Sequence, residues 1–400
     1  MIRSIQLLVA TLCCWVLSMP VIAADDAAFA ELLRQAKGSE VKWYMWGGST
    51  SVNSWVDGYV APAVKEKFGI TLKRVPADAA VFINKLLAEK QAGGKGTMDL
   101  LWINGENFKN AMENGLLQGP ISHLLPHFRM IDSASVEFDF GYPVRGYEAP
   151  FGRAQFVFEY DSAKVPNPPR TFADLKQWIK DNPGKFTYPK PPDFTGSAFV
   201  RQVFYAVSGG HNQYLKGFEQ SLYKERSPAL WAYLSDIKPF LWQQGSTYPK
   251  DIAALDTLFE RGEVLLNMSY HQASAQSKIL QGRYKNTVRT MVMNDGSIYN
   301  THFTAVPYNA PNRAGALVVA DFLMSPEAQL SKNNPANWGD FTVLDMARLE
   351  EEGRRRFQTL DLGAATLSVA ELSRVAVPEI PAAYLEQLEK DWEKQVLQGR

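Results

Sequence analysis

Near the middle of the chain, Glu148-Ala-Pro-Phe-Gly-Arg153 sets an acid, an aromatic ring and a guanidinium close together. Such a trio can hold a charged small molecule. A ring face attracts a cation by roughly 0.5–2 kcal/mol, a carboxylate supplies the countercharge, and an arginine fork suits an anion. Other stretches offer similar groups: Trp46-Gly47-Gly48-Ser49, Asn104-Gly105, Phe151 with Arg153, Thr195-Gly196-Ser197, Trp231, and Tyr270-His271. The glycines at 47, 48 and 105 allow backbone N–H groups to approach a ligand, or make plain tight turns. Thr195 and Ser197 precede apolar helical sequence and serve either a ligand or an ordinary cap. Trp231 and Tyr233 suit an aromatic wall or a core. With Glu148, Asp193 or Asp57 as the acid, the aromatic residues point to an organic cation. Arg153 and helix N-termini would suit an anion such as a phosphonate or sulfonate instead.

Signatures of bond-making chemistry fail. Gly93-Gly-Lys-Gly-Thr97 resembles a phosphate loop, but its lysine precedes glycine and the stretch follows a helix. His123 and His127 have metal-like spacing, yet Pro126 intervenes and no glutamate follows His123. There is no Gly-x-Ser-x-Gly elbow, and Glu350 to Arg356 reads as a solvated helix face. No metal site or cofactor is expected. A secreted hydrolase stands as the rival reading, and it lacks a local pair of carboxylates or a triad.

The elements that must position these groups alternate. Strands are expected at 41–46, 70–75 and 99–103, with helices at 26–36, 54–68, 81–91 and 106–114, which predicts a parallel α/β sheet. Gln155 to Tyr160 reads as a strand with Phe156, Phe158 and Tyr160 on one face. It lies between prolyl loops and so suits a crossing between lobes. Beyond it, Thr171 and Asp174 match a capping box, 185–188 reads as a short strand, 190–197 as a loop, and 198–207, 227–242 and 251–261 as helices. A strand is expected over 263–269, a hairpin turn at Asn294-Asp295-Gly296, and an extended second crossing at 301–306. Ser325-Pro326 starts a helix. Leu385, Leu388, Trp392 and Val396 form one stripe on a terminal helix.

The chain has 400 residues, 46% hydrophobic and 21% charged, with zero formal charge. Those values suit two or three globular domains and give no sign of a nucleic-acid partner. Arg3, an uncharged run from Ser4, and Val21-Ile-Ala23-Ala24 read as an export leader cut after Ala23 or Ala24. Cys13 and Cys14 both lie inside it, so the exported chain has no thiol or disulfide chemistry. Export to the periplasm as a monomer is the expectation.

Four further stretches carry a resemblance. They are Val41 to Gly48, Asn110-Ala-Met-Glu-Asn-Gly-Leu-Leu117, Glu159-Tyr-Asp161 with Pro168-Pro-Arg-Thr-Phe-Ala-Asp-Leu175, and Val306-Pro-Tyr-Asn-Ala-Pro-Asn312 followed by Ala320-Asp-Phe-Leu-Met-Ser-Pro-Glu-Ala-Gln329. In this order they resemble the extracellular solute-binding proteins of bacterial ABC importers, the class with thiamine, polyamine and ferric-ion binders. The resemblance implies a two-lobed α/β fold of the periplasmic-binding-protein type II, with two hinge crossings and a ligand cleft between the lobes. It places one lobe at 24–152 and 304–400, with terminal helices able to pack across both, and the other at 153–303. It also implies a small-molecule solute, thiamine-like or another amine cation, and an inner-membrane permease with a cytoplasmic ATPase. A tyrosine near Tyr270 lines the pocket in the thiamine-like relatives. Iron is disfavoured, because no adjacent tyrosine pair occurs.

Overall fold

The computed structural model describes residues 22–133 and 136–399. The leader expected at 1–23 lies outside the described residues up to position 21. In chain order the strands are β1 (Glu40–Met45), β2 (Thr71–Pro76), β3 (Leu100–Ile103), β4 (Phe138–Asp139), β5 (Tyr142–Pro143), β6 (Glu148–Gln155), β7 (Val157–Asp161), β8 (Leu266–Ser269), β9 (Val288–Met291), β10 (Ser297–Ala305) and β11 (Ala376–Pro378). They form two main sheets. The larger runs β11-β10-β3-β1-β2, with β6 also paired to β10; the smaller runs β8-β7-β9.

The larger sheet is mixed rather than all parallel. β1 lies parallel to β2 and β3, as strand–helix alternation demands. β10 enters antiparallel between β3 and β6, because it returns from the other lobe instead of following a crossover helix. In the smaller sheet β7 pairs antiparallel with β8 and β9. Each sheet has its own core. One gathers Trp43, Val60, Phe82, Leu101, Phe151, Phe303, Leu317 and their neighbours. The other gathers Phe156, Phe158, Phe199, Tyr214, Leu234, Met268, Trp392 and theirs.

The chain leaves the first core within β6, between Phe151 and Ala154, and returns to it within β10, between Ile298 and Phe303. The expected face of Phe156 and Phe158 is buried in the second core. A third passage adds to the two hinge crossings: Leu349 and Phe357 pack on the first core, Ala365 and Ile380 on the second. Between them Leu372 and Val375 close a small cluster over the hinge with Val157, Val292 and Phe341.

The terminal helix Ala382–Trp392 therefore lies on the second core. Its predicted stripe needs an apolar partner, and Trp392 finds one at Tyr188 and Tyr248. The indole N–H donates to the Tyr188 hydroxyl at 3.0 Å, and its ring lies 5.2 Å from that of Tyr248. Burying one such ring contributes roughly 4–6 kcal/mol before entropy is counted.

At the hinge edge of the first sheet a buried ion pair fixes residues 338–341. Lys332, wholly buried, donates to the Asp340 carboxylate at 2.6 Å and to the Phe341 carbonyl at 2.7 Å. Asp340 fits only because residue 152 is glycine: a Cβ there would lie 2.0 Å from its Oδ2. Three expectations differ. The turn at Asn294-Asp295-Gly296 closes no hairpin, because β9 pairs with β7 in one sheet and β10 with β3, β6 and β11 in the other. Residues 185–188 join no ladder, although Phe186 and Tyr188 are buried between helices. The helix expected from 198 starts at Phe194, capped by Asp193.

Candidate functional site

The first lobe contributes a short hairpin. Phe140 and Gly141 join β4 to β5 with φ of 44° and 73°, the pair of positive values that two-residue hairpin turns require. Such a φ is uncommon for a phenylalanine. It aims the ring out of the first lobe, where Phe140 packs with Ala382 and Leu385 of the terminal helix. The Phe194 ring lies 6.3 Å away and the Arg201 guanidinium 5.7 Å above it. Asp139, one residue earlier, accepts the Gly105 N–H at 2.6 Å, so a carboxylate already fills the N-terminus of helix Gly105–Glu113.

The second lobe answers with helix Phe194–Ser208. Asp193 caps it by accepting the Gly196 N–H at 2.8 Å. Ser197 donates to Glu389 at 2.5 Å. One turn on, Arg201 is almost fully buried and bonds Glu379 through two nitrogens at 2.8 and 2.7 Å. Tyr270 donates its hydroxyl to the same carboxylate at 2.7 Å. Burial by itself would lower the Arg201 pKa, but the charge and hydrogen bonds of Glu379 raise it. Glu379 arrives on the third passage, directly after β11.

Between the hairpin, β10 and this passage lies a cavity of about 280 Å³. Asp139, Phe140, Tyr299, Asn300 and Glu379 line it. Of the carboxyls in this part of the molecule, Asp139 and Glu379 line the cavity, while Glu148, Glu106 and Glu389 do not. Glu148 is wholly buried with neither oxygen partnered. Burial, then the nearby Asp139 charge, pushes its carboxyl well above the usual range. Asp139 is pushed up by burial and by the charges of Glu106 and Glu379, against the Gly105 hydrogen bond. Glu106 and Glu389 are raised too, chiefly by burial. No three His, Cys, Asp or Glu among the described residues are placed to share a metal ion.

None of the residues nominated from sequence lines the cavity; Gly105 bonds Asp139 of the hairpin, Ser197 bonds Glu389 and Tyr270 bonds Glu379, while Thr195 and Gly196 sit in the first turn of the helix that Asp193 caps. Asn104 starts the Gly105 helix without a side-chain cap bond. Trp46 is exposed at the end of β1. Gly47 accepts from Asn53 at 2.9 Å, Gly48 lies against the Trp46 ring, and Ser49 caps the next helix. This loop borders the gap between lobes, where Gln281 donates to Ser51 at 2.9 Å, but does not line the cavity. Phe151 is core, edge-on to Trp43 and Trp102. Arg153 forms an ion pair with Asp132, and its carbonyl accepts from Gln272 at 2.7 Å. His271 is half-buried beside Gly339, and desolvation of its ring lowers its pKa to about 4. Trp231 packs on the second core and does not line the cavity. Sequence reading missed Asp139, Phe140, Arg201, Asn300, Glu379 and Glu389. A Phe-Gly pair between short polar-flanked segments was the one usable signal.

Two α/β bodies that meet over a small charged cavity and are joined at a hinge define a binding protein of the periplasmic type II fold. Residues 59–349 match the family model described as bacterial extracellular solute-binding protein, and the chain belongs to that family. It is 37% identical over 354 residues to protein YnjB of Escherichia coli K12, covering 87% of this chain and 91% of that one. Two solved structures share the fold. AfuA of Actinobacillus pleuropneumoniae, with fructose-6-phosphate bound, aligns at TM-score 0.62 and 14% identity over 90% of this chain and 98% of its own. A periplasmic thiamin binding protein aligns at 0.58 and 19% over 89% and 96%. The protein is therefore an extracellular solute-binding protein.

Proposed function

We propose that the solute is a small organic cation, trapped when the two lobes close and then handed to an inner-membrane permease driven by a cytoplasmic ATPase. Capture takes place in the periplasm, by a monomer. The observation that carries this reading is Glu148: a carboxyl shut away from water with both oxygens unpartnered. Native structures rarely leave such a group without a partner. Asp139, Glu106 and Glu389 add charge of the same sign nearby, while Arg201 is already satisfied by Glu379. A positive solute would relieve that imbalance and favour the closed state, because it touches acids of both lobes at once.

An anion has less support. Asp139 and Asp193 already occupy the two helix N-termini at the site, and Arg153 is paired with Asp132. The fold neighbours do not choose, since one binds a sugar phosphate and another thiamin. Calorimetric titration with thiamine, putrescine and 2-aminoethylphosphonate tests the reading. One of the two cations should bind at one site per chain, and Glu148→Gln should weaken it by about 10–100-fold. Binding of the phosphonate alone, or cation binding indifferent to Glu148→Gln, would overturn it.

A further inference from the structure

We propose that the solute carries, beside its positive charge, a neutral edge with a hydrogen-bond donor next to an acceptor, and that the Asn300 amide reads that edge. The proposal rests on the cation reading and narrows it. Asn300 stands on β10 opposite Ala154 of β6. On the other flank of β10 the partner changes: β11 pairs with residues 297–299, and β3 with residues 303–305. Residues 300–302 fall in the gap between these two ladders, and Tyr299, Asn300 and Thr301 line the cavity.

The Asn300 side chain is about as buried as a core residue, at 6% exposure, yet neither its carbonyl oxygen nor its amide nitrogen has a partner. The amide has one group that accepts and one that donates. Its neighbour Glu379 is no substitute reader, because Arg201 and Tyr270 already bond both of its oxygens. Asp139 supplies a carboxyl on the same cavity wall, and Phe140 and Tyr299 supply ring faces. A volume of about 280 Å³ sits at the low end of small-molecule pockets, which run to roughly 300–1,000 Å³. The matching solute is compact and cationic, with a carboxamide or an amino-substituted ring nitrogen as its edge. An alkyl amine of the same size would leave the Asn300 amide unpaired. Sites built to pair such groups discriminate against analogues that lack them.

Two matched pairs of amines test this by calorimetry on the intact protein. One pair is 4-aminobutanamide and 4-methylpentan-1-amine. The other is 4-amino-5-aminomethyl-2-methylpyrimidine and 2,4-dimethylbenzylamine. In at least one pair the edge-bearing member should bind about tenfold tighter than its isostere. Asn300→Leu should erase that preference. The readout is the ratio within a pair, so a general change in cation affinity cancels. Asn300→Ala, which adds no bulk and removes both amide groups, gives the same readout if the leucine variant does not fold.

Equal binding within both pairs overturns the proposal, as does a preference that survives both substitutions. If the isosteres bind and Glu148→Gln weakens them, the cation reading stands while the edge falls. If no amine of either pair binds, the proposal fails. The thiamine and putrescine titrations then decide the cation reading separately.

Discussion

The pair Arg201–Glu379 offers a prediction whose size follows from geometry. Glu379→Gln keeps the shape of the side chain and removes its charge. Arg201 is left 1% exposed, with its two contacts at 2.8 and 2.7 Å no longer charged on the acceptor side. Breaking one partner of such a buried pair costs about 3–5 kcal/mol, since the remaining charge has neither water nor a counterion. Replacing both charges, with Arg201→Met and Glu379→Gln together, should restore most of the loss, as the Tyr270 hydroxyl can still donate to the glutamine. The coupling energy in that cycle should reach at least ~2 kcal/mol. Urea unfolding is the assay, followed by tryptophan fluorescence and circular dichroism together, because two bodies can unfold in separate steps. In thermal melts the single variant should lose roughly 6–20 °C. A loss below about 1 kcal/mol for Glu379→Gln, or a double variant as poor as the two singles added, would refute the claim that this ion pair anchors the third passage to the second lobe.

Two further outcomes are expected. Glu148 titrates above its usual value of 4.5 in the folded chain, so between that value and its raised one the native state holds a proton that the unfolded chain has released. Stability without solute therefore falls as pH rises through that window. From about pH 5 to about pH 8 the wild type should lose more stability than Glu148→Gln, and parallel urea midpoints for the two would contradict this. Thr171 accepts the Asp174 N–H at 3.0 Å while Asp174 accepts the Thr171 N–H at 3.1 Å, so Thr171→Ala should cost about 0.5–2 kcal/mol without changing solute affinity. An unchanged midpoint would show that the box contributes nothing.

Local rules were legible wherever one residue type answers one backbone need. The box at Thr171 and Asp174, the Ser325 cap and the apolar stripe ending at Val396 are all present. The strand at Phe156 was legible because its alternating phenylalanines both turn onto the second core. The site was less so, and for a physical reason. Its hairpin consists of two-residue strands, too short to show a period. Arg201 lies on an apolar helix face, and its partner comes 178 residues later in the chain. Asn300 sits in a strand whose alternation says nothing about a gap between neighbouring ladders. Pairings of that kind are set by tertiary closure, not by spacing along the chain.

Mass spectrometry of the small molecules released from natively purified protein tests the central claim most directly. The protein should carry a stoichiometric organic cation small enough for a cavity of about 280 Å³. Release of a phosphorylated or sulfonated anion in its place would contradict the reading of Glu148 and its neighbouring acids.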